Sequence, residues 1–141
     1  MEIYNLKNDI IVFGVRVKNF PGGVGEAFHD LIKLFPADDR RSYFGIFSMA
    51  EEGNMVYYAA AEETHPGEAE KYKCERLAIE KGEYLTEPIR DWRKNIECIK
   101  DVFMKMSADK RVDHTKPGVE WYKNDDEMLC MLKAIPQKID A

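Results

Sequence analysis

The sequence predicts a single α+β domain made of two successive strand–helix–strand–strand units, with antiparallel sheets and one helix in each. Three observations carry the prediction. Ile10–Val17 is a β-branched run, helical apolar spacing begins at Val24 and again at Ile89, and a turn-separated pair of β-like runs follows each helical stretch.

Taken in order, Ile10-Ile11-Val12-Phe13-Gly14-Val15-Arg16-Val17 carries branched side chains that fit a pleated surface, and Phe20-Pro21-Gly22-Gly23 breaks it. Val24, Phe28, Leu31 and Phe35 recur at helical intervals, and Pro36 stops the segment. Tyr43–Met49 and Met55–Ala61 flank Ala50-Glu51-Glu52-Gly53-Asn54, which has the composition of a hairpin turn. Thr64–Glu70, with its His65-Pro66-Gly67, reads as a polar surface connection. Cys74–Lys81 is a strand in which Leu77 and Ile79 alternate with charged or small neighbours, and Gly82-Glu83-Tyr84-Leu85 continues it past a bulge or turn. Pro88 suits the first turn of a helix, where its missing N–H costs nothing. Ile89, Trp92, Ile96, Ile99, Phe103 and Met106 then step by three and four along one helical face. Beyond the polar Ser107–Lys116, Pro117–Tyr122 and Glu127–Ile135 form a second hairpin around Lys123-Asn124-Asp125-Asp126.

The element order thus occurs twice within one domain, 1–141, over about 9–63 and again over about 73–136. A residue-level echo accompanies it: Met55 follows Gly45, and Met128 follows Gly118, each at a distance of ten. Two such units pack most simply about a pseudo-twofold axis.

With 141 residues, 45% of them hydrophobic and 33% charged, the chain has a globular balance and enough length to bury its own core. Its 21 Lys and Arg against 26 Asp and Glu leave a net charge of −5, which makes a phosphate backbone a poor partner. No stretch approaches the ~20 apolar residues of a membrane span. Met1-Glu2-Ile3-Tyr4-Asn5 lacks the basic start and apolar run of a signal peptide, so a cytoplasmic protein is expected. Cys74, Cys98 and Cys130 are odd in number and far apart, the pattern of buried free thiols.

Familiar catalytic and metal-binding patterns are missing. His29, His65 and His114 fall on helix, loop and loop, without HExxH or CxxC spacing, so neither a metal nor a cofactor is expected. Phe20-Pro21-Gly22-Gly23-Val24-Gly25 has no Lys-Ser/Thr after it and no GxGxxG spacing, so it is not a phosphate loop. There is no GxSxG elbow, no helix-turn-helix and no basic recognition helix.

Side-chain alternation makes one acid stand out. On Gly118–Tyr122, Val119 and Trp121 point one way while Glu120 and Tyr122 point the other. With the hairpin centred on Asn124-Asp125, Glu120 lies opposite Leu129 with Met131 on the same face. Val119, Trp121, Met128, Cys130 and Leu132 occupy the other. Both faces are apolar, and one helix per unit covers only one of them. The other is expected to meet the second unit, a partner subunit or a ligand.

Glu120 is therefore a carboxylate among apolar neighbours. Either it faces water or a basic neighbour at a sheet edge, or it sits in a pocket to hold a cationic or polar ligand or to move a proton. Tyr57 and Tyr58 are adjacent and must face opposite ways, so one of them shares the side of Glu120. Phe47 lies on the strand paired with theirs, Tyr84 precedes the second helix, and Trp92 belongs to its core stripe near a pocket rim. Ring faces around a cation contribute about 0.5–2 kcal/mol each. The candidate ligand-binding set is Glu120, Tyr57, Tyr58, Tyr84, Trp92, Phe47 and Met131, while Phe28, Phe35, Phe44 and Phe103 read as core.

The repeated element order, the Phe20-Pro21 break, Tyr43-Phe44-Gly45-Ile46, the Gly82-Glu83-Tyr84 turn and above all Pro117-Gly118-Val119-Glu120-Trp121-Tyr122 resemble the GyrI-like small-molecule-binding family. That family supplies the effector-binding domain of AraC-type and MerR-type transcription regulators. The likeness runs from about Asp9 to Ile135, and Pro-x-x-Glu-x-Tyr is its most specific part. It implies two SHS2-type modules around a central ligand groove. It also implies Glu120 as the pocket glutamate, with an aromatic wall drawn from Tyr57 or Tyr58, Tyr84 and Trp92. With no DNA-binding region before Met1, the chain reads as the stand-alone form.

Three functions fit the resemblance. The first is a receptor or sequestering protein for a hydrophobic, planar or cationic aromatic small molecule or xenobiotic of the multidrug kind. The second is a hydrolase of cyclopropane-bearing electrophiles, with Glu120 as the catalytic acid or water-orienting group. The third is a protein-interaction role with a regulator or topoisomerase. No direct nucleic-acid or membrane partner is expected.

Overall fold

The computed structural model describes residues 1–18, 22–49 and 55–136. The Phe20-Pro21 break and the Ala50–Asn54 turn lie outside the described residues. The strands are β1 (Glu2–Leu6), β2 (Ile10–Arg16), β3 (Tyr43–Met49), β4 (Met55–Glu62), β5 (Glu75–Ile79), β6 (Gly82–Arg90), β7 (Gly118–Tyr122) and β8 (Glu127–Lys133). The helices are α1 (Val24–Ile32), α2 (Glu68–Lys71) and α3 (Ile96–Ser107), with a single 3₁₀ turn at Trp92–Lys94. The fold is α+β, as expected.

All eight strands join one antiparallel sheet in the order β1-β6-β8-β7-β3-β4-β2-β5. Outward from the central β7–β3 contact, β8 and β6 on one side are matched by β4 and β2 on the other. The flanking strands cross over: β1 pairs with β6, and β5 pairs with β2.

The sheet curls into a half-barrel. Its inner face supplies Leu6, Val12, Phe44, Ala60, Ile79, Tyr84, Val119, Leu129 and Met131 to one cluster, so every strand reaches the same core. A flat sheet of eight strands would hold its edges tens of ångströms apart at ~4.8 Å per strand, so strong twist and coil are needed to bring them together. The outer face carries the helices: α1 packs on β4, and α3 on β8 and β6. Leu85, Ile89, Ile99, Phe103, Met106, Met128, Cys130 and Leu132 form the core beneath α3. Burying each such large side chain contributes about 1.5–3 kcal/mol.

Several expectations need correction. Pro88 lies within β6, opposite Leu129, rather than at a helix start. The amide of Ala134 donates to the Glu83 carbonyl, so odd-numbered residues of β6 direct their backbone toward β8. Pro88 therefore turns its proton-less nitrogen to the β1 side, beyond where β1 begins at Glu2 opposite Thr86, and no ladder bond is lost. Helix α3 starts only at Ile96, because Asp91 takes a left-handed conformation (φ 51°) that ends the strand and turns the chain. Ile89 and Trp92 still reach the core shared by Ile99, Phe103 and Met106, but from a strand end and a 3₁₀ turn.

The expected connection Thr64–Glu70 contains most of the short α2, and the N-terminal residues form the edge strand β1. Glu68 of α2 accepts from the amides of Thr64 and His65 and pairs with the buried Arg41 at 2.9 Å. Arg41 also grips Asp39 and lies 3.8 Å from the centroid of the Phe35 ring, fixing the chain ahead of β3. Of the three thiols only Cys130 is buried; Cys74 is half-buried and Cys98 exposed.

Candidate functional site

The second hairpin sets the site, and its register differs by one residue from the expected one. Tyr122 pairs with Met128 and Glu120 with Cys130, centring the turn on Asp125. The Asn124 side chain accepts from the amides of Asp126 and Glu127, and the Lys123 amide donates to the Glu127 carbonyl, which lengthens the loop. Because strand side chains alternate, this single step exchanges faces throughout β8. Met128, Cys130 and Leu132 share the outer face with Glu120, whereas Leu129 and Met131 join Val119 and Trp121 inside the curl.

Glu120 thus stands at the centre of the outer face, under the helices, and is only 8% exposed. Its neighbour on β3 is Gly45. A side chain at position 45 would collide with both the Tyr57 hydroxyl and Glu120 Oε1, so the glycine makes the room that the carboxylate occupies. Gly118 does the same for the Phe47 ring.

Two phenols hold the acid. The hydroxyls of Tyr57 and Tyr122 both donate to Glu120 Oε1, the latter at 2.9 Å. No Lys, Arg or His among the described residues forms an ion pair with it. Burial pushes the Glu120 carboxyl above its usual range, and the two phenol hydrogen bonds pull only partly against it. Burial and the nearby carboxylate push both phenols up as well, so Tyr57 and Tyr122 stay protonated donors. Burial also pushes the Cys130 thiol up to about 12, which removes it as a thiolate nucleophile near neutrality.

Aromatic rings close over this centre. Phe28 of α1 meets Tyr122 edge-on, with centroids 5.5 Å apart, and Tyr57 at 6.5 Å. Trp92 meets Tyr122 at 4.8 Å and is fixed by its indole N–H, which donates to the Asn124 carbonyl at 2.9 Å. Phe47 packs on Phe103 of α3 at 4.8 Å. Phe28, Phe47, Trp92 and Tyr122 are half-buried, each with part of its surface in solvent. Glu120 lines neither the cavity of about 90 Å³ nor that of about 400 Å³.

The structure therefore brings Glu120, Tyr57, Trp92 and Phe47 to one face and sends the rest of the candidate set elsewhere. Tyr58 pairs with Ile46 and faces the inside of the curl. Tyr84 belongs to the inner core and donates to the Glu80 carbonyl at 2.6 Å, and Met131 is fully buried beside it. These three are separated from Glu120 by the sheet itself. Tyr122, Phe28 and Gly45 were not among the candidates. Tyr122 was legible as the residue two along from Glu120 on the same strand, but Phe28 and Gly45 reach the acid only through tertiary packing.

Fold and site together define an α+β protein with a curled antiparallel sheet and a single acid beneath aromatic rings, between helices on one face. No family model matches the chain, and no curated protein sequence does either. Solved structures do match. An integron cassette protein from the mobile metagenome of Vibrio cholerae aligns over 95% of both chains, at 15% identity and a TM-score of 0.69. SAV2435 bound to tetraphenylphosphonium covers 95% of this chain and 93% of its own, at 12% identity and a TM-score of 0.63. A "Putative bacterial transcription regulation protein" from Staphylococcus aureus MU50 covers 94% and 97%, at 14% identity and 0.58. What this chain shares with all three is the fold. No helix among the described residues is long and apolar enough to cross a membrane.

Proposed function

We propose that this protein is a GyrI-like binding module for lipophilic, cationic aromatic small molecules, seated over Glu120 between α1 and α3. The observation that carries the reading is a buried carboxylate, held in place by Tyr57 and Tyr122, that forms no ion pair with a cation among the described residues. An uncompensated buried charge costs several kcal/mol, and a cationic ligand supplies the missing partner while the rings supply stacking. The half-buried ring of Phe28 swings aside to admit it, while Trp92 stays held by its bond to the Asn124 carbonyl. One fold neighbour, SAV2435, is bound to tetraphenylphosphonium, a ligand of this chemistry. In this reading the segments 9–63 and 73–136 are two SHS2-type halves of one cytoplasmic domain, 1–141, and the groove lies between them.

A second reading rests on the raised carboxyl of Glu120. A carboxyl raised by burial keeps its proton to higher pH than an exposed one and can give it to a strained ring carbon as water adds across the opening bond, which is hydrolysis of a cyclopropane-bearing electrophile.

Calorimetric titration with tetraphenylphosphonium separates these ideas from a purely structural acid. The binding module predicts saturable binding that weakens at least about tenfold in Glu120→Gln, a loss of about 1.4 kcal/mol. Equal affinity in the variant refutes the role given to Glu120. Product accumulating beyond one equivalent from a cyclopropane substrate, followed by mass spectrometry, would establish the hydrolase.

A further inference from the structure

A second site of opposite charge lies on the other side of the sheet. The cavity of about 90 Å³ opens where the end of β5 approaches the start of β7 and the end of β8. Ile46, Ile79 and Val119 give it an apolar floor, and Lys133 lines its wall. Lys133 is only 9% exposed. Its ammonium donates to the Lys81 carbonyl and lies 5.3 Å from the centroid of the Tyr84 ring. Gly82, at φ 133°, lets the amine approach so closely; any side chain there would collide with Nζ.

An ammonium has three donors, and among the described residues one protein acceptor takes one of them. No carboxylate among the described residues pairs with Lys133. Glu80, at the cavity rim, is engaged by Lys116 at 3.0 and 3.3 Å. The Asp113 carboxylate accepts from the hydroxyl and amide of Thr115, and Lys116 and Lys133 both draw on it electrostatically. A buried cation with spare donors, beside a small apolar hollow, is a receptor for an anion with a short apolar tail.

We propose that this cavity binds a short alkyl carboxylate, with the carboxylate on Lys133 Nζ and the chain over Ile46, Ile79 and Val119. Volume sets the length. An apolar cavity of about 150 Å³ holds benzene, so about 90 Å³ with one open side suits two to four carbons. The site is independent of Glu120, which faces the other way.

Titration of the full chain with carbon-13-labelled propionate, followed by NMR, tests the assignment. Saturable millimolar binding is expected, weakened at least about tenfold in Lys133→Met and unchanged in Glu120→Gln. Hexanoate should bind more weakly than butyrate because it exceeds the cavity. If Lys133→Met fails to fold, Ile46→Trp fills the same space from its half-buried wall and should abolish binding. Absence of saturation overturns the proposal, as does undiminished binding by Lys133→Met or Ile46→Trp, or equal competition by chloride, which would mark simple anion attraction.

Discussion

Gly45 and Glu120 face each other across the β3–β7 pair, and the side chain that one lacks is the space that the carboxylate of the other fills. The seat of the acid is therefore built from backbone register as much as from the acid itself. Tyr57, one strand further on, reaches over the glycine to donate to the same oxygen.

Replacing Gly45 by alanine should break the Tyr57–Glu120 hydrogen bond and force both side chains apart. Overpacking of this kind costs about 1–3 kcal/mol, set against a gain of about 0.4–1 kcal/mol from a stiffer unfolded chain. Thermal melting should show a net fall of several degrees, and an unchanged midpoint would mean that the site tolerates the methyl group without rearrangement.

The pH dependence of stability should carry the signature of Glu120. Its carboxyl is raised in the folded protein, so folding favours the protonated form. That stability is fully present below the ordinary carboxylate range and is lost as pH rises through the raised folded value. Glu120→Gln removes the charge and keeps an acceptor for the phenols, so its melting temperature should fall less than the wild type's between mildly acidic and neutral pH. At neutral pH the variant should be the more stable by about 1–3 kcal/mol. Parallel curves for the two proteins would contradict a desolvated acid.

Fluorescence offers a local reporter, since the chain has two tryptophans, on opposite faces of the sheet. Trp92 touches Tyr122, whereas Trp121 packs inside the curl against Phe44 and Tyr4. Quenching by an aromatic cation bound over Glu120 should vanish in Trp92→Phe and persist in Trp121→Phe. The reverse pattern would move the ligand to the inner face.

Much of this architecture was legible from local rules. Strand β2, helix α1 and the strand pairs β3–β4 and β7–β8 follow from β-branched runs and helical spacing that agree with their tertiary setting. Glu120 stood out because a charged residue between Val119 and Trp121 contradicts its surroundings. The errors came where a local signal had two solutions. Ile89 and Trp92 fit a helical stripe and also a strand end and turn packing on the same core. Pro88 fits a helix start and also a strand position whose nitrogen faces past a neighbour's end. A hairpin of unknown loop length leaves register open by one residue, which moved Met131 away from the acid and brought Cys130 to it. The curl of the sheet, which decides that Tyr84 is core, that Tyr58 faces away from the acid and that Phe28 is a wall, is a property of all eight strands at once.

The crossing of the flanking strands binds the molecule's two ends to each other's fortunes. The N-terminal β1 is hydrogen-bonded to β6 in the C-terminal half, while β5, at the start of that half, completes the N-terminal one against β2. Each half lends the other a border, like two hands clasped at the fingers, so neither can melt alone without stripping an edge from its neighbour. The protein is thereby wired to come apart all at once, and a tug on its first few residues is felt at the far side.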